Sequence, residues 1–201
     1  TFNFNRGWAE ALTLRDQHSA TTPVYFLLLH ADIIAKGADW FLTLYREMQS
    51  VDAEVLSVIV PIKDARGLTS TARDTDRWRP VRYTMTEILK KPPTWTAPDL
   101  LFNTGMLLVD MRGAWTEQVT FTIHDLIRRD PITQQWTAET EPEDWNFSRQ
   151  CRAHGVRAYV TRAVPVTHLG IASFDNDLAW GDPVDHGNLA SFGAAKLAEM
   201  P

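Results

Sequence analysis

The chain has a single cysteine, Cys151, among its 201 residues. One thiol excludes an internal disulfide framework and suits a reducing compartment, so a cytoplasmic setting is expected. Long apolar runs are also missing. None approaches the roughly 20 residues that a membrane span needs, and the first residues carry no signal-peptide pattern. There is no basic excess either. A net charge of -5 argues against a general nucleic-acid binder, which is usually basic. No Gly-rich phosphate loop follows a strand, and no repeat or low-complexity tract is visible. The rest of the composition is that of an ordinary globular protein, so one domain over 1–201 with a real core is expected. Eight Trp is a high number for this length, and most are expected in the core.

The most telling stretch is Val24-Tyr25-Phe26-Leu27-Leu28-Leu29-His30-Ala31-Asp32. It is an unbroken apolar run that stops at a histidine and an aspartate. Such a run reads as a strand covered on both faces, which is typical of a parallel sheet. Ligands of open α/β sheets bind at the carboxyl ends of such strands. Strand alternation would turn His30 and Asp32 to the same side, and histidine plus carboxylate is half of a divalent-metal site.

Helix and strand patterns alternate along the chain, so the expected fold is α/β with a mainly parallel sheet flanked by helices. Trp8, Ala11, Leu12 and Arg15 suggest a first helix, and 24–30 a strand. A helix is expected near 38–49, a buried strand over 54–60 and another over 105–110. Residues 62–100 hold several prolines and read as an excursion with one short helix near 84–90. Trp115, Val119, Ile123, Leu126 and Ile127 predict a helix that stops before Pro131, with His124 and Asp125 inside it. A further helix spans 144–154, capped by Gly155. A strand within 156–166 then delivers His168 at its end. The tail from 171 reads as a loop and a short helix, and its Asp182, Asp185 and His186 are expected in turns.

Three places carry chemistry: His30-Ala31-Asp32, the acidic cluster Glu139, Glu141, Glu143 and Asp144, and His168. A metal bound by Asp32 and His168 would neutralise charge on a phosphate-bearing substrate. A neighbouring carboxylate would take a proton from an attacking hydroxyl. Lys63 and Arg66 follow the second buried strand and suit phosphates. Cys151 has no histidine-paired nucleophile pattern around it and is expected at a helix–sheet contact.

In order and spacing these motifs resemble a glycosyltransferase of the GT-A fold, close to the family 2 group, over about residues 3–170. Leu29-His30-Ala31-Asp32 matches the Asp-x-Asp that holds Mg or Mn on a nucleotide-sugar diphosphate, with His30 in place of the first Asp. Asn103-Thr104-Gly105 and the residues to Asp110 resemble the segment before the acceptor site. Glu143-Asp144-Trp145 resembles the opening of the acceptor-site helix, and Ala163 to His168 the final strand with its metal-binding histidine. Asn5 and Arg6 sit where the family often has an Arg-Asn pair.

The resemblance implies a UDP- or GDP-linked sugar donor, a hydroxyl acceptor and a Mn or Mg cofactor. Asp32 and His168 would be the metal ligands. Asp144 would be the base, with Glu143 as its fallback. His30, Lys63, Asn103, Thr104, Gly105 and Trp145 would be substrate-binding positions, with Asn5 and Arg6 near the donor. The family's opening strands have no counterpart here, which implies either a segment of a longer chain or a minimal nucleotide pocket. Two other classes suit the same residues. One is a nucleotidyltransferase or metal-dependent phosphate hydrolase. The other is a non-catalytic domain that binds sugar or a partner protein.

Overall fold

The computed structural model describes residues 1–18, 22–170 and 173–177. In chain order it contains α1 (Phe2–Gln17), β1 (Tyr25–Leu29), β2 (Ile33–Ala35), α2 (Trp40–Ser50), β3 (Val55–Val58), β4 (Leu68–Arg73), β5 (Val81–Thr84) and α3 (Met85–Leu89). These are followed by β6 (Thr94–Trp95), β7 (Leu100–Leu101), β8 (Met106–Asp110), β9 (His124–Arg129), β10 (Trp136–Glu141), α4 (Glu143–Ala153), β11 (Ala158–Thr161), β12 (Val166–Leu169) and β13 (Ser173–Asp175). No helix among the described residues is long and apolar enough to cross a membrane.

The strands form four sheets. One has five strands in the order β1-β8-β3-β11-β6, and the others are β10-β9, β13-β12-β2 and β5-β4-β7. Among the described residues only β11 and β3 pair in parallel, and every other pairing is antiparallel. The expected mainly parallel, Rossmann-like GT-A sheet flanked by helices is therefore wrong, and the fold is mixed and mostly antiparallel. The apolar run misled because it reports cover on both faces of a strand, not strand direction. Central β8, Met106-Leu107-Leu108-Val109-Asp110, is buried throughout and runs against both neighbours. β1 itself stands at the end of the sheet and is only half-buried.

One part of the directional argument survives. β1 and β3 both run opposite to β8, and β11 runs with β3, so these three strands point the same way. Their carboxyl ends share a sheet edge with the segment that leads into β8. Alternation along β8 divides the core. Leu107 and Val109 pack in a cluster with Trp8 of α1 and Phe147 of α4. Met106 and Leu108 pack in another with Leu44 and Met48 of α2.

Other expectations need correction too. The helix expected over 115–127 is a 3-10 turn, Ala114–Glu117, followed by a loop and strand β9. β9 pairs with β10, so His124 and Asp125 lie on a strand. The hairpin turn is set by Asp130, whose carboxylate accepts from the backbone N–H of Ile132 and Thr133, each at 2.8 Å. The expected strand within 156–166 is β11 alone. His168 arrives on β12, in a different sheet. The 62–100 excursion holds four short strands besides the expected short helix, which is closed by a Thr84–Glu87 capping box. Asp182, Asp185 and His186 lie outside the described residues.

Candidate active site

The chain turns just after β1. His30 N–H donates to Gly105 O at 2.8 Å, and Ile33 N–H donates back to His30 O at 3.1 Å. This turn ends the strand at Leu29, before His30 and Asp32. His30 stacks on Phe4, with ring centroids 5.4 Å apart, and its buried Nε2 has no hydrogen-bond partner. Asp32 faces Lys63 and His168. Both His30 and Asp32 line a cleft of about 520 Å³ with Phe4, Leu29 and Ala31.

Asp32, Lys63 and His168 come from three separate segments. β12 pairs with β2 so that His168 stands opposite Ile33, the residue after Asp32. Leu169 N–H donates to the Asp32 carbonyl at 2.8 Å. The His168 Nδ1 lies 2.7 Å from Pro61 O. A carbonyl can only accept, so Nδ1 carries the proton and Nε2 presents its lone pair. That Nε2 is 3.5 Å from Asp32 Oδ2. Burial lowers the His168 pKa, so the ring is neutral near pH 7. Lys63 Nζ donates to the same Asp32 oxygen. That bond, with the nearby His168, holds the Asp32 carboxyl below its usual range.

A neutral imidazole nitrogen and a carboxylate oxygen turned toward each other form a donor pair for a cation. Among the described residues, no three His, Cys, Asp or Glu side chains group to hold a metal. Mg and Mn accept such sparse protein ligation when substrate phosphates and water complete the shell. In this structure the same Asp32 oxygen also accepts from Lys63.

Asp144 stands on the first turn of α4. Burial first, and then the neighbouring Glu143 charge, push its pKa up to about 7. The half-buried Glu143 thus acts on Asp144 electrostatically. The next residue, Trp145, is buried and donates its indole N–H to Ser70 O at 3.3 Å. Ser70 N–H donates to Val60 O at 2.8 Å, just before Pro61. Through this chain of bonds, the Asp144 turn and the Asp32–Lys63–His168 cluster flank one segment, Val60–Pro61.

The expected acidic cluster divides in two. Glu139 and Glu141 lie on β10 and are held by arginines, so they do not join Asp144. Glu139 bonds to Arg128 and Arg79. Glu141 is fully buried and bonds to Arg149, Arg77 and His124.

Several expected substrate positions brace the fold. Asn5 exchanges two hydrogen bonds with the Phe121 backbone, both at 2.8 Å, which uses both ends of its amide. Arg6 is exposed and pairs with Glu10. Asn103 donates to Val58 O and accepts from Gly105 N–H, each at 2.9 Å, and Thr104 is buried beside them. A Cβ at Gly105 would come within 3.1 Å of both Asn103 Oδ1 and Val60 Cγ2, so only glycine fits there without a shift. Sequence reasoning missed Arg82. Its guanidinium carbon lies 4.6 Å from the Trp145 ring centroid, and Asp144 acts on it electrostatically. The available signal was alternation in Val81-Arg82-Tyr83-Thr84, which sets Arg82 opposite buried Tyr83.

No protein-family model matches the chain, and no curated protein matches it. Among solved structures it is similar to A197 from STIV, with 14% sequence identity and a TM-score of 0.52. The match covers 90% of this chain and 74% of that one. At this identity the likeness shows a shared fold alone.

Proposed function

We propose that this protein is a metal-dependent glycosyltransferase that moves a sugar from a UDP- or GDP-linked donor to a hydroxyl acceptor. The observation that carries the reading is the meeting of Asp32, Lys63 and His168 beside Val60–Pro61, a segment tied to the Asp144 turn through Trp145 and Ser70. A charge-neutralising cluster and a carboxylate of near-neutral pKa are the two parts that inverting transfer needs.

Asp144 takes the proton of the acceptor hydroxyl, whose oxygen bonds to the anomeric carbon as the bond to the diphosphate breaks. Its pKa of about 7 leaves a useful fraction ionised at neutral pH. Lys63 leaves Asp32 and neutralises the departing diphosphate. Asp32 and the Nε2 of His168 would hold Mn or Mg, which would supply further charge neutralisation at those phosphate oxygens. The Phe4–His30 stack, with its unpartnered Nε2, gives the donor an aromatic wall and one hydrogen-bonding nitrogen.

Calorimetric titration with UDP and GDP, in Mn and in chelator, tests this on the intact chain and on Asp32→Ala. The expected result is nucleotide binding that requires Mn and is lost in the variant. The Lys63–Asp32 bond favours a second reading, a non-catalytic nucleotide- or sugar-binding domain. It predicts binding that is indifferent to Mn and to Asp32.

A further inference from the structure

β4, β5 and α3 border a second cleft, of about 710 Å³. Arg66, Arg73 and Arg82 line it together with Leu68, Val81 and Thr84. Two of the three guanidiniums face carboxylates. Arg66 pairs with Asp64 at 2.7 Å and Arg73 with Glu87 at 2.6 Å.

Arg82 is different. Its Nη1 donates to Thr69 O at 3.1 Å, and its guanidinium carbon lies over the Trp145 ring. Among the described residues, no ion pair joins it to a carboxylate. Asp64 and Glu87 pair with Arg66 and Arg73, whereas Arg82 feels Asp144 and Asp64 only from beyond ion-pair distance. Burial lowers the Arg82 pKa, as expected for a cation removed from water without a partner. A half-buried charge left in this way is costly unless something pairs with it. Among the described residues, the bond to Thr69 O is the one that its N–H donors make, so the others remain for a planar or tetrahedral oxyanion.

We infer that this cleft is an oxyanion subsite beside Asp144, and that the sugar acceptor carries one carboxylate or phosphate negative charge held by Arg82. The inference rests on the glycosyltransferase reading, and it names the acceptor class. Arg82 joins the two sites, because it lines this cleft, packs on Trp145 and feels the charge of Asp144. An anion seated there would bring an attached hydroxyl to the base. Lys63 pairs with Asp32, which lines the first cleft, and Arg82 lines the second, so donor phosphates and acceptor anion have separate cations.

The test is calorimetric titration of the intact chain with inorganic phosphate, glucose 1-phosphate and glucuronate, each with and without saturating UDP and Mn. At least one anion should bind in the presence of UDP, and the phosphate and carboxylate arms distinguish the two sources. Arg82→Gln should weaken that binding about ten-fold, the usual loss for one charged hydrogen-bonding partner. Arg82→Lys, which keeps the charge but not the fork, should lose less, and UDP affinity should be unchanged in both. If Arg82→Gln does not fold, a reduced anion affinity in folded Arg82→Lys carries the same test. Equal anion binding in wild type and variants overturns the inference, as does displacement of the anion by UDP. If neither UDP nor GDP binds, the transferase reading fails. The anion titrations without UDP then decide the Arg82 subsite separately.

Discussion

Glu141 ends β10 and Asp144 stands on the first turn of α4, and their surroundings drive them in opposite directions. Burial pushes Glu141 up, but bonds from Arg77, Arg149 and His124 outweigh it and hold the carboxyl at about 2. Arg149 also grips Asp74, at 2.5 Å, so Glu141 fastens the β9–β10 hairpin through α4 to the end of β4. Asp144 is pushed up by burial with Glu143 beside it. The Trp145 N–H and the charge of Arg82 oppose this only in part, which leaves it at about 7. Partners, more than depth, decide which acid stays ionised. One carboxylate belongs to the fold, and the other is free to exchange a proton.

Removing each carboxyl in turn tests this contrast. Asp144→Asn should reduce sugar transfer by about 10²–10⁴-fold, the usual contribution of a general base, without lowering the melting temperature. A variant that loses stability along with activity would make Asp144 structural. Glu141→Gln should do the reverse. It leaves Arg149 without one of its carboxylates and should cost roughly 3 kcal/mol in denaturant unfolding, with the turnover of the folded fraction kept.

The pH dependence of stability separates the same two groups. The folded pKa of Glu141 is depressed, so its contribution is complete above about 4.5 and is lost as pH falls toward about 2. The folded pKa of Asp144 is raised, so its contribution is complete below 3.8 and is lost as pH rises through about 7. Unfolding free energies measured across pH should lose the acid limb in Glu141→Gln and the neutral limb in Asp144→Asn. The smallest change is expected from Glu143→Gln. It removes the second cause of the Asp144 shift while burial remains, so the rate should begin to rise at slightly lower pH.

Local features of the fold were legible where one element carried its own signals. The α2 pattern of Trp40, Leu44 and Met48 came from a helix with one buried face. α4 was bounded by Pro142 before it and by the Gly155 turn after it. Pairing was not legible, because strand direction and partner depend on distant residues. Ile123, Leu126 and Ile127 fit helical spacing. The competing signal was the Asp130-Pro131 turn followed by Trp136-Thr137-Ala138-Glu139, and the hairpin it closes won. Asp32, His168 and Asp144 stand at or next to the ends of elements, where an apolar run stops or a helix starts. The place of Lys63 after a buried strand suggests a phosphate partner, whereas its bond to Asp32 depends on packing between distant segments. Alternation in Val81–Thr84 fixes the side on which Arg82 stands, but four residues of strand do not say whether an arginine there meets a carboxylate or an indole.

The Asp32–His168 pair has one more consequence. These side chains meet because β12 is laid against β2 in one particular alignment, with His168 opposite Ile33. A slip by one position would bring Thr167 or Leu169 to that place and turn the imidazole to the other face. The pair is therefore indexed by backbone pairing, much as a key is cut by the spacing of its notches. Substitutions around it should be tolerated as long as the chain lengths on either side of the ladder are kept. A single inserted or deleted residue between Asp32 and Ile34, or between Pro165 and His168, should silence the site in a chain that still folds.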